Sequence, residues 1–219
     1  MVPALSLHSG PVSEEPGELG RIVADAASGR ESAWERLVDL YSRRVFAMAR
    51  SRLHDDDLAE EITQSVFVTV ATKLRQTEGY SEQGRFEPWL FRITMNRVRD
   101  LARKRSRQAT PVAPEHMAEV RGPGDEAGEV RQRDHDRREM DRLRSAMERL
   151  NDVDREIIEL RHHGQLSFKQ IAEITGDPLG TLLARHHRAL KKLRTIIEEA
   201  QQHDSPQNES PENKTGQNQ

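Results

Sequence analysis

Apolar residues recur at helical spacing through two stretches of the chain and almost vanish between and beyond them. Trp34, Leu37, Val38, Tyr41, Val45 and Met48 advance in steps of three and four along most of their length, and Leu58, Ile62, Val66, Val70 and Leu74 do the same. Both patterns predict amphipathic helices. Asp55, Asp56 and Asp57 stand between them, where a helix start favours side-chain caps and negative charge. A third helix is predicted from about Phe86 to Arg105, and in the second stretch helices near 141–150, 152–163, 167–175 and 179–198. Strand alternation is absent apart from a brief run at Val66 to Val70, which helical spacing explains better. The expectation is an all-α chain of two small helical domains joined by a flexible linker.

The distribution of Leu, Ile, Val and Phe sets the boundaries. Residues 34–107 hold 19 of them and 141–199 hold 17, whereas 108–140 hold three valines and 200–219 none. A segment that poor in apolar side chains does not offset its ordering entropy. The division read from this is a disordered N-terminus at 1–18, a helical domain at 19–107, a linker at 108–140, a second helical domain at 141–199 and a disordered tail at 200–219. Pro111, Pro114, Gly122, Pro123, Gly124 and Gly128 support the linker. Its far boundary is soft, because Arg131 to Arg144 is compatible with the start of a polar helix.

The 219 residues include no cysteine, which excludes disulfide frameworks, thiolate zinc sites and cysteine nucleophiles. No apolar run reaches membrane-spanning length and no signal pattern opens the chain, so a cytoplasmic protein without membrane insertion is expected. There is no Gly-x-Ser-x-Gly, no phosphate loop and no carboxylate pair in an apolar run, so an enzyme is the least favoured class and no cofactor is expected.

The net charge of −3 conceals two basic patches. Arg92 to Arg107 carries seven basic residues and one acid, Asp100, and Arg185 to Arg194 carries five. Two such patches on a mildly acidic chain suggest a polyanion met at two places. On a helical wheel Phe86, Trp89, Leu90, Ile93 and Leu101 gather on one side, predicted to face the core. Arg92, Asn96, Arg99 and Arg103 fall on the other, with Lys104 in the same basic run. That arc suits a phosphate backbone, with Asn96 near base edges. A solvated charged face is the plainer account, but such faces mix signs more evenly. The preceding loop, Gln76 to Gly84, offers Tyr80 as a stacking surface, although an ordinary helix connection is the simpler reading.

Ser167 to Ile174 reads as a short capped helix, Thr175-Gly176-Asp177-Pro178 as a turn, and Leu179 onward as a second helix. Ala172 allows close helix approach and Gly176 permits the turn. In the second helix Leu182, Ala189, Leu190, Leu193 and Ile197 share one face, and Thr181, Arg185, Arg188, Lys191 and Lys192 share the other. A recognition helix in the major groove requires such an outer face. His162–His163 and His186–His187 are adjacent pairs without the i,i+4 spacing that aims two rings at one ion, so no metal is expected. His186 falls within the apolar face and His187 at the edge of the outer one.

The order of these parts resembles the extracytoplasmic-function sigma factors of bacterial RNA polymerase, over about residues 30–107 and 141–198. Ala59-Glu60-Glu61-Ile62-Thr63-Gln64-Ser65-Val66-Phe67 is similar to the family's polymerase-binding helix. Phe86-Glu87-Pro88-Trp89-Leu90-Phe91-Arg92-Ile93-Thr94-Met95-Asn96 is similar to its promoter-melting helix, and Leu166 to Arg194 to its helix-turn-helix. The resemblance implies that Glu60, Glu61, Gln64 and Phe67 meet the clamp helices of the polymerase largest subunit. It implies that Tyr80, Arg92, Asn96, Arg99, Arg103 and Lys104 handle the minus-ten element. Thr181, Leu183, Ala184, Arg185, His187, Arg188, Lys191 and Lys192 would then handle the minus-thirty-five element, with the second domain also touching the polymerase flap. An anti-sigma factor is a further implied partner. The family often has Asp at the place of Glu61, and usually Val-Lys-Ser-Arg where this chain has Leu182-Leu183-Ala184-Arg185. Two positions that commonly meet DNA are thus apolar, which alters the expected minus-thirty-five preference. Leu183 and Ala184 suit a thymine methyl instead.

Two other classes remain open on the residues alone. A helix-turn-helix regulator independent of core polymerase would need a ligand pocket in the first domain. An interaction or anti-termination protein without DNA specificity would need no recognition helix.

Overall fold

A computed structural model of the chain describes residues 16–76, 85–108 and 127–203. Eight helices and no strand occur among them. The first four are α1 (Pro16–Ala27), α2 (Glu31–Leu53), α3 (Asp56–Gln76) and α4 (Phe86–Gln108). The second four are α5 (Ala127–Glu148), α6 (Asp152–His162), α7 (Phe168–Thr175) and α8 (Leu179–His203). The loop carrying Tyr80 lies outside the described residues, as do 1–15, 109–126 and the tail beyond His203.

The apolar stripes of α2 and α3 are buried as their spacing predicts: Leu37, Tyr41, Val45 and Met48 on one, Ile62, Val66, Val70 and Leu74 on the other. α2 ends where His54 takes a left-handed conformation (φ 55°) and donates its N–H to the Arg50 carbonyl at 2.9 Å. Asp55 then caps α3, its Oδ1 accepting from the Leu58 N–H at 3.0 Å. This is the turn that the three aspartates announce.

Three features depart from the sequence pattern. α1 is an additional helix; Leu19, Ile22, Val23 and Ala26 already hold the required spacing, and Val23 and Ala26 are buried. α5 begins at Ala127 and fills much of the stretch read as linker. On α4 the buried arc is displaced: Phe86, Leu90, Phe91, Thr94, Met95 and Val98 are buried, while Trp89, Ile93 and Leu101 are only partly so. The cause is a second neighbour. α4 packs on α2 and α3 and also on α7, so the side bearing Phe91 and Met95 is covered too.

That contact joins the two halves. One continuous core runs from Val23 through Phe91 to Ile157, Leu160, Leu166, Ile171 and Leu182. A second, smaller core of Met147, Leu150, Ile158, Ala189, Leu193 and Ile196 belongs to the C-terminal helices alone. Gly164 permits the close approach: a Cβ there would stand 2.6 Å from the Leu160 carbonyl oxygen and 3.0 Å from the Met48 side chain.

Because Leu160 lies in the shared core, Leu160→Ala is expected to cost about 2–5 kcal/mol. Chemical denaturation should show the loss in one cooperative transition. Loss confined to one of two separate transitions would contradict the shared core.

Candidate nucleic-acid interface

The outward arc of α4 carries Arg92, Asn96, Arg99, Arg103 and Lys104, as the wheel predicts, and all but half-buried Arg99 are exposed. The arc is nevertheless partly occupied by the chain itself. Both Glu156 carboxylate oxygens on α6 accept from Arg99 Nη2 at 2.7 Å. An Arg92 guanidinium nitrogen donates to the Glu173 carbonyl of α7. Asn96 lines a cleft of about 280 Å3 with Arg92, Arg99, Val153, Glu156 and Asp177. The basic arc therefore forms one wall of a seam.

The rest of the seam is polar and well connected. Arg44 of α2 lies against the Tyr41 and Phe91 rings, 5.0 and 4.9 Å from their centroids. It donates to Glu87 at 2.7 Å and to the Gly164 carbonyl. The other Glu87 oxygen accepts from Gln170 Nε2 of α7 at 2.6 Å. Further along, Glu159 is fully buried between two arginines: Arg155 Nε at 2.9 Å and Arg52 Nη1 at 3.4 Å. Arg52 also reaches Asp152 at 2.7 Å, and Arg155 donates to the Ser51 carbonyl at 2.7 Å. Burial raises the pKa of Glu159, and the two guanidiniums pull it back down. His54 completes the seam with Glu148 at 2.9 Å. Its pKa is lowered chiefly by burial, against the pull of Glu148.

The helix-turn-helix forms from α7 and α8. Ser167 and Gln170 make a reciprocal capping box at the start of α7. Gly176 ends it in the left-handed region (φ 77°), donating its N–H to the Ala172 carbonyl at 2.8 Å. This conformation favours glycine. On α8, Leu182, Ala189, Leu193 and Ile196 point inward, Ile197 is partly buried and Leu190 is 38% exposed. Leu190 therefore leaves the inner face assigned to it, and Ile196 takes its place. Thr181, Leu183, Ala184, His187, Arg188, Lys191 and Lys192 are exposed. Arg185 is the exception on the outer face, half-buried and paired to Asp177 at 3.0 Å.

On α3, Glu60, Glu61 and Gln64 are exposed, and Gln64 Nε2 donates to Glu60 at 3.3 Å. Phe67 is buried, its ring edge-on to Trp34 at 6.1 Å. It therefore fills the space beside Trp34 from the inner side of α3. Val68, one turn beyond Gln64, is 67% exposed.

The described residues contain no group of three or more side chains suited to a metal ion. His186 is half-buried, as its place on α8 suggests. It stacks on His162 with ring centroids 5.6 Å apart and meets Phe168 edge-on at 5.1 Å. The pairing of His162 with His186 links α6 to α8 and was not visible in sequence spacing. Burial is the main cause lowering the pKa of His162, His163 and His186, with Arg161 adding to the effect at His162 and His162 to that at His163 and His186.

Comparison with known proteins agrees with this layout. The family model for sigma-70 region 2 matches residues 37–108, and that for sigma-70 region 4 matches residues 146–195. The chain is 30% identical over 187 residues to the ECF RNA polymerase sigma factor SigE of Mycolicibacterium smegmatis, covering 84% of this chain and 69% of SigE. Its fold is similar to that of CnrH in complex with the cytosolic domain of CnrY, with a TM-score of 0.60 at 25% identity. That match covers 83% of this chain and 98% of CnrH. A fold match to the sigma factor RpoE of Bartonella quintana, in complex with the anti-sigma factor NepR, has a TM-score of 0.54 at 24% identity. It covers 75% of this chain and 96% of RpoE.

The lowered histidine pKa values fix the sign of a pH effect. The unfolded chain, with imidazoles near pKa 6.5, binds protons more readily than the folded one, so this contribution is present above about pH 6.5 and lost as pH falls. His162→Asn combined with His186→Asn should flatten the fall in melting temperature between about pH 7.5 and 5.5. An unchanged slope would contradict it.

Proposed function

Because the chain belongs to the extracytoplasmic-function sigma factors of RNA polymerase, we propose that its three outward faces divide promoter recognition among them. The strip of Glu60, Glu61, Gln64 and Val68 on α3 meets the clamp helices of core polymerase. The arc of Arg92, Asn96, Arg99, Arg103 and Lys104 on α4, with Tyr80 in the loop before it, captures the minus-ten element once its bases unstack. Unstacking a base costs a few kcal/mol, which base capture and polymerase contacts offset. Thr181, Leu183, Ala184, Arg185, His187 and Arg188 on α8 read the minus-thirty-five element, with Lys191 and Lys192 on phosphates. The C-terminal unit also touches the polymerase flap. The chain performs no covalent chemistry itself and works in the cytoplasm. Since CnrH and RpoE are seen with CnrY and NepR, an anti-sigma factor is a partner to seek here.

The observation that most supports this reading is the outer face of α8, where three cations, Arg188, Lys191 and Lys192, are exposed beside His187, Leu183 and Ala184. A plain helical hairpin has no need of a cationic strip next to an apolar tip. The apolar tip favours thymine methyl groups at two positions.

Run-off transcription with bacterial core polymerase tests the reading. Promoter-specific transcripts are expected only when the protein is added, and Gln64→Ala should weaken polymerase binding without changing the affinity of the C-terminal face for DNA. Absence of both binding and transcript would overturn it. Arg188→Ala should cost about 1–3 kcal/mol on a cognate promoter if it reads a base. An equal loss on unrelated DNA would make it a phosphate contact.

A further inference from the structure

Within the helix-turn-helix, an acid of the turn holds an arginine of the second helix: Arg185 Nη1 donates to Asp177 Oδ2 at 3.0 Å. From Pro178 to Ala184 the chain carries no charge, so Arg185 is the first cation of α8. It stands in the second turn of that helix. Long helical side chains lean back toward the helix N-terminus, and the contact with Asp177 draws this guanidinium to the end that a helix-turn-helix aims at base edges. Thr181, Leu183 and Ala184, exposed around the same end, are all uncharged. The turn takes its shape from other bonds: the Asp177 N–H donates to Thr175 Oγ1 at 3.2 Å, and the Leu182 N–H donates to the Pro178 carbonyl at 3.1 Å. The pair keeps 28% of the Arg185 and 35% of the Asp177 side-chain surface exposed, and an ion pair that open to solvent contributes little to stability.

Resting on the DNA-reading role given to α8 above, we propose that Asp177 is a positioning residue that sets Arg185 to read one guanine. A guanidinium holds its donors in a rigid planar fork, so engaging Nη1 fixes the plane of the others. A fork held at the tip of the helix matches the O6 and N7 acceptors that guanine shows in the major groove. Holding it also removes rotamer freedom before DNA arrives, so less is lost on binding. The carboxylate has a second effect. It offsets the charge of Arg185 at a distance and repels phosphates, so the sequence-independent attraction falls to Arg188, Lys191 and Lys192, which are exposed further along α8. The pair thus favours discrimination between bases over general affinity. Both partners belong to one turn and helix, so the arrangement is carried with α8.

The test uses holoenzyme assembled from the full chain and bacterial core polymerase, with duplex DNA of random sequence retained on it and sequenced. The unsubstituted protein is expected to enrich a guanine at one position, and Arg185→Ala to abolish that preference. Asp177→Ala should lower enrichment of the same guanine about tenfold, in the range of one good arginine–guanine pair, and leave the other positions unchanged. Binding to unselected duplex should stay the same or tighten, whereas a merely structural role would weaken every contact. Asp177→Glu keeps the carboxylate and should retain most of the preference. The double variant Asp177→Ala, Arg185→Ala should discriminate no worse than Arg185→Ala alone. A guanine preference that survives Asp177→Ala, or a loss spread over all positions, would overturn the positioning role and leave α8 as the DNA-reading helix. Holoenzyme that forms but enriches no sequence would sink that reading of α8, and the proposal with it.

Discussion

A carboxylate with no solvent exposure is the constraint on which the arrangement of the two halves depends. Glu159 sits at the junction of α6 with α2, where Arg155 and Arg52 compensate its charge. Arg155 comes from the same helix, but Arg52 comes from the other half of the chain. Leaving a buried charge without its partner costs several kcal/mol, so Glu159 holds α6 against the end of α2. Once α6 is there, Glu156, one turn earlier, faces Arg99, and Asp152 meets the outer side of Arg52. Gly164 then lets the α6–α7 connection approach α2, so that Arg44 reaches the Gly164 carbonyl and Glu87 accepts from Gln170 of α7. The polar seam is thus a consequence of one satisfied burial, extended by helical geometry.

The same geometry explains how a chain of net charge −3 presents cationic surfaces. The acids are not spread evenly. Asp152, Glu156 and Glu159 of α6 gather at the seam, while α8 turns Arg188, Lys191 and Lys192 outward. A polyanion approaching the recognition helix meets concentrated positive charge, and one approaching α4 meets arginines already in use. The outward faces of α4 and α8 therefore differ in availability although both sequences are basic.

What the sequence revealed was local. The stripes of α2 and α3, the aspartate cap before α3, the Ser167–Gln170 start and the Gly176 stop depend on neighbours within a few residues, and each is present. What it hid was tertiary. The burial of Phe91 and Met95 follows from α7 packing on α4, and the occupation of Arg99 from the position of α6; neither leaves a trace in spacing. Phe67 looked like a contact because it ends a familiar motif, yet its ring fills the gap beside Trp34. His162 and His186 lie 24 residues apart and meet only because α6 crosses α8. The expectation for Tyr80 falls outside the described residues.

The central claim is that Glu159, buried between Arg52 of α2 and Arg155 of α6, ties the two halves together. The chain has no cysteine, so Arg43→Cys and Lys169→Cys place a dye pair at exposed positions on α2 and α7 without further change. Energy transfer between them should be high and should fall on Arg52→Ala, which leaves Glu159 without its partner from the other half. Transfer that is low in the unsubstituted pair, or unchanged by Arg52→Ala, would contradict the account.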